Sequence, residues 1–306
     1  MTHEPLDCLV VGGGAAGLTA SVYLARYRRR VAVVDAGDSR LNLIPRSRNV
    51  PGFPEGIAGR DLLARLRDHA ARYQVPIEQG RVAALAGQDG EFEARLDDGR
   101  VLRARKLLLA TGARDVAPDV PGLEPGLAAG NVRYCPVCDG FETQRQRVAV
   151  LGREVHGLRE SLFVAGFDNQ VTWLSLGSQQ DVPAEALARL RDCDVLIADQ
   201  MPLHIRCEPG QGVEVEMTDG RKLAFDVLYP ALGLVHVSEL ATALGARAGD
   251  DGQLEVDGHL QTTVPGLYAA GDVADGLNQI SVAYGQAAIA STAIHNSLPE
   301  YPGRSS

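Results

Sequence analysis

Cys135 and Cys138, in the run Cys135-Pro136-Val137-Cys138-Asp139-Gly140, are the residues of this chain best suited to chemistry. Cysteines at that spacing close a small disulfide ring or stay open as a dithiol, so the pair stores two electrons. Asp139 follows at once, a carboxyl able to carry a proton to or from a thiolate leaving group. Pro136 removes a backbone donor and stiffens the turn, which favours a reducible disulfide over an inert one. The same spacing makes half of a zinc knuckle, and zinc wants a full ligand set. The other cysteines, Cys8, Cys193 and Cys207, are scattered singly, so the pair reads as redox-active. A carboxyl in Asp139's place can also be a plain helix cap; its position directly after the second cysteine favours the proton role.

The surrounding pattern supplies a frame. Leu9 to Val11 reads as a buried strand and is followed by Gly12-Gly13-Gly14-Ala15-Ala16-Gly17 and an apolar helical stretch through Leu24. Gly12, Gly14 and Gly17 have the spacing of the dinucleotide fingerprint: one glycine for the turn, one for close approach of a pyrophosphate, one for helix–strand packing. The next strand, Val31 to Val34, ends in Asp35, placed for a ribose hydroxyl. A loop containing Asn49-Val50-Pro51-Gly52-Phe53-Pro54 reads as a connector, and a helix is expected around Gly59 to Tyr73. Short strands are expected at Val82–Ala86, Glu91–Leu96 and Val101–Ala104, with Asp98-Gly99 as a hairpin turn. Lys106–Ala110 is a further buried strand, leading into Thr111-Gly112. Pro118 and Pro121-Gly122 mark a crossing into a second domain.

Beyond the cysteines the plan repeats: strand Val148–Leu151, Gly152 at a turn, a helix to about Val164, strand Val171–Leu174. Val227–Ala231 with Gly233 echoes Leu108–Gly112, so the chain reads as α/β with two Rossmann-like units, an internal duplication. A strand ending in Gly271-Asp272 and a helix from about Ser281 to Asn296 close the pattern.

The chain has 306 residues, room for two cores, and a formal net charge of -9 with no long basic run, which argues against a nucleic-acid partner. No apolar run has the length of a membrane helix, and Met1 to Asp7 lacks the basic residues of a signal peptide. The cytoplasm is the expected compartment, where a C-x-x-C is more often catalytic than structural.

In combination and in order, these motifs resemble the low-molecular-weight thioredoxin reductase family over essentially the whole chain. The matching points are Gly12 to Gly17, Pro51 to Pro54, Ala110-Thr111-Gly112, Cys135 to Gly140, and Gly271-Asp272 with Gln279. The resemblance implies an FAD-binding domain of residues 1–114 and 245–306 and an inserted NADPH-binding-like domain of residues 115–244 that carries the C-x-x-C. It implies flavin contacts from Gly12, Gly14, Ala15, Ala16, Gly17, Asp35, Asn49, Thr111, Gly112, Gly271, Asp272, Gln279 and Ile280. It further implies Cys138 nearer the flavin, Cys135 attacking an external disulfide, Asp139 as acid–base partner, and a homodimer.

The second unit departs from the family. It reads Gly152-Arg153-Glu154-Val155-His156-Gly157, with Glu154 in the middle glycine's place. A carboxylate there obstructs and repels a pyrophosphate at the positive end of a helix. The family's basic group after the next strand is also missing from Leu174-Ser175-Leu176-Gly177-Ser178-Gln179-Gln180, and Arg153 and Arg159 lie elsewhere. The expectation is an FAD enzyme that does not rely on NADPH, resembling the deeply rooted or ferredoxin-dependent flavin thioredoxin reductases, with a thioredoxin-like or small dithiol partner. Three alternatives stay open: an NADPH-dependent reductase with a degenerate site, an oxygen-dependent dithiol oxidase of gliotoxin-oxidase type, and a flavin redox sensor without turnover. Dithiol oxidases tend to carry His after the second cysteine, where this chain has Asp139.

Overall fold

A computed structural model describes residues 4–177, 182–198, 200–208 and 210–300, with only the backbone of Glu154 and Val155. Ser178, Gln179, Gln180 and Tyr301 lie outside the described residues. The chain divides into two compact units: Met1–Asn42, Arg60–Arg114 and Val235–Ser306 form one, Leu43–Gly59 and Asp115–Leu234 the other.

In the first unit, Leu6–Val11 is flanked by Val31–Asp35 and Val101–Leu109, both parallel to it, and Ile77–Gln79 extends the sheet beyond Val31–Asp35. Buried runs such as Leu-Val-Val and Val-Ala-Val-Val suit strands covered on both faces. The sequence suggests two strands where the structure has one, Val101–Leu109. Its first half pairs antiparallel with Glu91–Leu96, and its second half lies between the parallel strands Leu6–Val11 and Leu267–Ala269. The change of partners explains the mixed reading: exposed Arg103 gives way to a fully buried Leu107–Leu109. The helices Ala15–Arg26 and Ile280–Ser297 pack together through small residues, Ala20 facing Ser291, whose hydroxyl donates to the Ala20 and Ala287 carbonyls.

The second unit repeats the strand–helix–strand plan with Arg147–Gly152, Glu154–Ala165 and Gln170–Ser175. Its parallel sheet runs Leu196–Ile197, Gln170–Ser175, Arg147–Gly152, Val227–Ala231. An antiparallel meander of Pro202–Glu208, Gly212–Met217 and Lys222–Phe225 packs its apolar face onto Ala149, Leu151 and Leu174. The other face of the parallel sheet, with Trp173 and Tyr229, is covered by Leu158 and Val164 of the helix.

The family resemblance implies a return to the first unit at about 244/245; the compact units divide at 234/235. The physical reason is that Val237 is already tied to the first unit, its N–H donating to Gly112 O and its carbonyl accepting from Thr111 Oγ1 at 2.6 Å. The Asn49–Pro54 loop, expected as a plain connector, belongs to the second unit, held there by bonds to the cysteine turn.

Candidate active site

Cys135 and Cys138 are joined in a disulfide, with Cα atoms 5.3 Å apart. Pro136 does more than stiffen a turn: it is the first residue of a short helical turn, Pro136–Asp139, where its missing N–H costs nothing. Cys135 precedes that turn, and the Cys138 N–H donates to Cys135 O at 3.0 Å. Val137 and Phe141 are exposed beside the cysteines, Phe141 at 67%. The connector reaches this turn from the other side: Arg48 N–H donates to Cys138 O, and Asn49 Nδ2 donates to Val137 O at 3.2 Å.

Asp139 stands at the start of the turn Gly140–Thr143, but its side chain makes no capping hydrogen bond. Its carboxyl is buried, accepts from the Tyr229 hydroxyl at 2.7 Å through Oδ1, and has Arg133 Nη1 3.5 Å from Oδ2. Burial pushes its pKa above the ordinary carboxylate range; Arg133 and the Tyr229 hydrogen bond pull it down, and nearby Glu142 pushes it up. Burial dominates, so the carboxyl keeps its proton at higher pH than a surface aspartate, as suits an acid for a departing thiolate. Tyr229 and Arg133 are absent from the sequence reading. Tyr229 lies 90 positions from Asp139 in a buried strand, where a tyrosine reads as packing.

The first unit gathers most of the other predicted residues. Gly12 has φ +112°, and a Cβ there would lie 2.2 Å from Ala110 O; one on Gly17 would lie 1.9 Å from Gly12 O. Both glycines are demanded by packing. Gly14 differs: a Cβ there would meet only Ser39 Oγ at 3.4 Å. Gly14 is also the N-cap of Ala15–Arg26, whose first turn has no side-chain cap and no acid. The first-turn amides of Ala15 and Ala16 thus have no side-chain cap and suit an anion, with only the Ser39 hydroxyl near Gly14. Gly13, which the fingerprint spacing skips, leaves room for Asp35, whose Cγ would lie 2.3 Å from an added Cβ.

Asp35 ends the second strand, buried, accepting from Gly37 N–H and from Arg67 Nη2 at 2.9 Å. Thr111 and Gly112 follow the strand that faces Gly12, Gly112 with φ +71°. Gly271, with φ +80°, would place a Cβ 3.0 Å from the Ala16 Cβ, so the Gly-Asp motif adjoins the fingerprint helix. Asp272 accepts from Arg40 Nη1 at 2.8 Å, and its carbonyl accepts from His236 Nδ1 at 2.6 Å. Neither Arg40 nor His236 carries a sequence signal, because each is distant in the chain. Gln279 is the N-cap of the last helix and Ile280 its first residue. Asn49, predicted with this group, lies in the second unit against the cysteine turn.

The second fingerprint keeps two of its three glycines. A Cβ on Gly152 would lie 2.5 Å from Ala231 O, and one on Gly157 would lie 2.4 Å from Trp173 Nε1. Trp173 in turn donates to Gly152 O at 3.1 Å. Both glycines serve packing. The middle position, the counterpart of Gly14, is Glu154, the first residue of its helix. Arg153 and Arg159 are exposed, and the His156 ring lies 3.6 Å from where a Gly233 Cβ would be.

Cys8 is fully buried, its thiol pushed upward chiefly by desolvation; Cys207 is half-buried and Cys193 exposed. Among the described residues no helix is long and apolar enough to cross a membrane.

A dithiol turn in a chain of two Rossmann-like units defines the class of dinucleotide-dependent disulfide oxidoreductases. Residues 6–287 match the family described as pyridine nucleotide-disulphide oxidoreductase, and the chain belongs to that family. It is 32% identical to NADH dehydrogenase of Bacillus subtilis, over 94% of this chain and 57% of that protein. It is 28% identical to thioredoxin reductase of Aquifex aeolicus, over 87% of this chain and 85% of the relative. The structure of Streptococcus pyogenes thioredoxin reductase superposes with a TM-score of 0.87 at 26% identity, over 95% of this chain and 97% of the other. The chain spans little more than half the length of several curated relatives it matches, 57–58%.

Proposed function

We propose that this chain is an FAD-dependent dithiol/disulfide oxidoreductase of thioredoxin-reductase type. It passes electron pairs between flavin, the Cys135–Cys138 pair and a thioredoxin-like protein or small dithiol, without NADPH. The observation that carries the reading is the contrast between the two fingerprints. Gly14, at an uncapped helix start, has only the Ser39 hydroxyl near it, whereas its counterpart is Glu154. The glycines retained in the second unit, Gly152 and Gly157, are those its packing needs with or without a nucleotide.

The residues present fit FAD. The amides of Ala15 and Ala16 beside Gly14 would take the pyrophosphate, Asp35 a ribose hydroxyl, and Thr111-Gly112, Gly271-Asp272 and Gln279-Ile280 the remainder. When bound, the flavin supplies a two-electron exchange partner for the dithiol. The chain's own residues handle sulfur and protons. A partner thiolate attacks Cys135 Sγ and breaks the Cys135–Cys138 bond, and Cys138 leaves as a thiolate that takes a proton from Asp139. The partner's second thiolate then releases Cys135, so the partner loses two electrons and the cysteine pair gains them. In the opposite direction Cys135 attacks and Cys138 resolves. Exposed Val137 and Phe141 give a protein partner apolar surface beside the pair. The electron donor is a protein such as ferredoxin, the compartment the cytoplasm, and the assembly a homodimer.

Anaerobic titration of the purified yellow protein with NADPH, NADH and dithiothreitol tests the reading. Bleaching by dithiothreitol and by neither nicotinamide is expected. Rapid bleaching by micromolar NADPH overturns the NADPH-independent reading and leaves an NADPH-dependent reductase.

A further inference from the structure

Asp139 is held from two sides by groups that one local pairing sets in place. Val132 and Leu228 form a parallel bridge: the Arg133 N–H donates to Leu228 O at 3.0 Å, and Leu228 N–H to Asn131 O at 2.9 Å. Each bridged residue is followed in the chain by a group that reaches the carboxyl. Arg133 is fixed further by its Nε donating to Gly130 O at 2.8 Å. Tyr229 is fully buried, its ring in the apolar core with Trp173, and its hydroxyl donates to Asp139 Oδ1. One donor thus faces each carboxyl oxygen.

We infer that Tyr229 and Arg133 are positioning residues for Asp139, the Tyr229 hydroxyl setting the pH at which that carboxyl stops delivering its proton. This rests on the proposed acid role of Asp139. A donor 2.7 Å from a buried carboxylate stabilises the anion, so its loss makes Asp139 hold its proton to higher pH. Other charges bear on the site. Glu142 opposes ionisation of Asp139 and lies 3.7 Å from Arg48. The helix Glu154–Ala165 packs against the cysteine turn and carries Glu160, pushed up to about 7 by burial. Tyr134, beside Cys135, is pushed upward by burial and by Asp115 and Glu124.

The test is the anaerobic reduction of the Cys135–Cys138 bond by dithiothreitol in the flavin-loaded full chain, with rates divided by the dithiothreitol thiolate concentration. Dithiothreitol loses two electrons to form its cyclic disulfide, while the cysteine pair gains two electrons and two protons, one reaching Cys138 from Asp139. The corrected rate of the unaltered protein falls as Asp139 ionises. Tyr229→Phe moves that fall upward by about one pH unit, the worth of a charge-assisted hydrogen bond. Arg133→Gln, at a half-buried position, moves it in the same direction and keeps the test open if Tyr229→Phe folds poorly. Glu160→Gln leaves the fall in place; a fall that follows Glu160 overturns the inference. A Tyr229→Phe profile that superposes on the parent's, with Asp139→Asn flat, overturns the inference while the acid role of Asp139 stands. An Asp139→Asn profile that keeps the fall removes the acid role itself.

Discussion

Glu160 sits on the inward side of the helix Glu154–Ala165, and burial alone raises its carboxyl from 4.5 to about 7. Among the described residues no arginine or lysine pairs with it. Because the folded-state value lies above the unfolded one, the fold loses stability as pH rises from the first value through the second, and below both the penalty vanishes. At ~1.4 kcal/mol per pH unit, the full cost of ionising Glu160 in place is about 3 kcal/mol. Linkage puts about 1 kcal/mol of it at roughly pH 5 and nearly all of it at roughly pH 8. Glu160→Gln removes the charge at nearly constant volume, so its stabilising effect is expected to be small in acid and to approach about 3 kcal/mol at mildly alkaline pH. The assay is urea unfolding of both proteins at the two pH values, followed by tryptophan emission. Trp173 is the only tryptophan, and it lies in the same core as Leu158 and Val164 of this helix, so the signal reports the unit concerned. A gain equal at both pH values, or a loss at the alkaline one, refutes the reasoning, since only ionisation makes the difference grow with pH.

Three further outcomes separate the roles assigned above. Gly14→Ala has the space and a permitted backbone (φ -87°), so the apoprotein is expected to unfold like the parent while FAD affinity falls at least about tenfold. Gly17→Ala drives a methyl into Gly12 O and is expected to destabilise the apoprotein by about 1–3 kcal/mol or more, read by thermal unfolding of flavin-stripped protein. Cys138→Ser turns Cys135 into a thiol with no resolving cysteine and is expected to trap a mixed disulfide with a small-molecule disulfide probe, visible by intact mass, with no turnover. A variant that keeps full turnover would show that the cysteine pair is not the working couple.

Local signals in the sequence carried the parts of this molecule whose physics is local. A fingerprint is legible because its residue types recur at fixed spacing within a few positions, Gly12 to Gly17, even where the group that demands a glycine is distant, as Ala110 O is for Gly12. The helix Ile280–Ser297 and the hairpin at Gly99 are legible for the same reason. What escapes the sequence is assembled across distance. Tyr229 and Arg133 converge on Asp139 through the Val132–Leu228 bridge, and nothing near either residue announces a carboxyl. The second unit's antiparallel meander escapes as well: Gly212–Met217 alternates cleanly, but its partner Pro202–Glu208 exposes Leu203 and half-buries Cys207, which breaks the alternation. The Asn49 loop reads as a connector because its hydrogen bonds to the cysteine turn use backbone carbonyls, which any sequence possesses.

The same distinction between local packing and ligand contact decides how much weight each glycine of the second fingerprint deserves. Gly152 and Gly157 interlock with Ala231, Trp173 and each other, so a side chain at either position collides with protein whether or not a nucleotide is present. Their retention is therefore demanded by the fold and says nothing about NADPH. In the first unit the middle position is the one that meets almost no protein, and only an incoming ligand gives a reason to keep it bare. That position is the informative one, and in the second unit it is a glutamate at the start of a helix, where a negative side chain is favoured by the same dipole that would otherwise favour a phosphate. The glutamate therefore marks the second unit at the one fingerprint position that, in the first unit, packing leaves free.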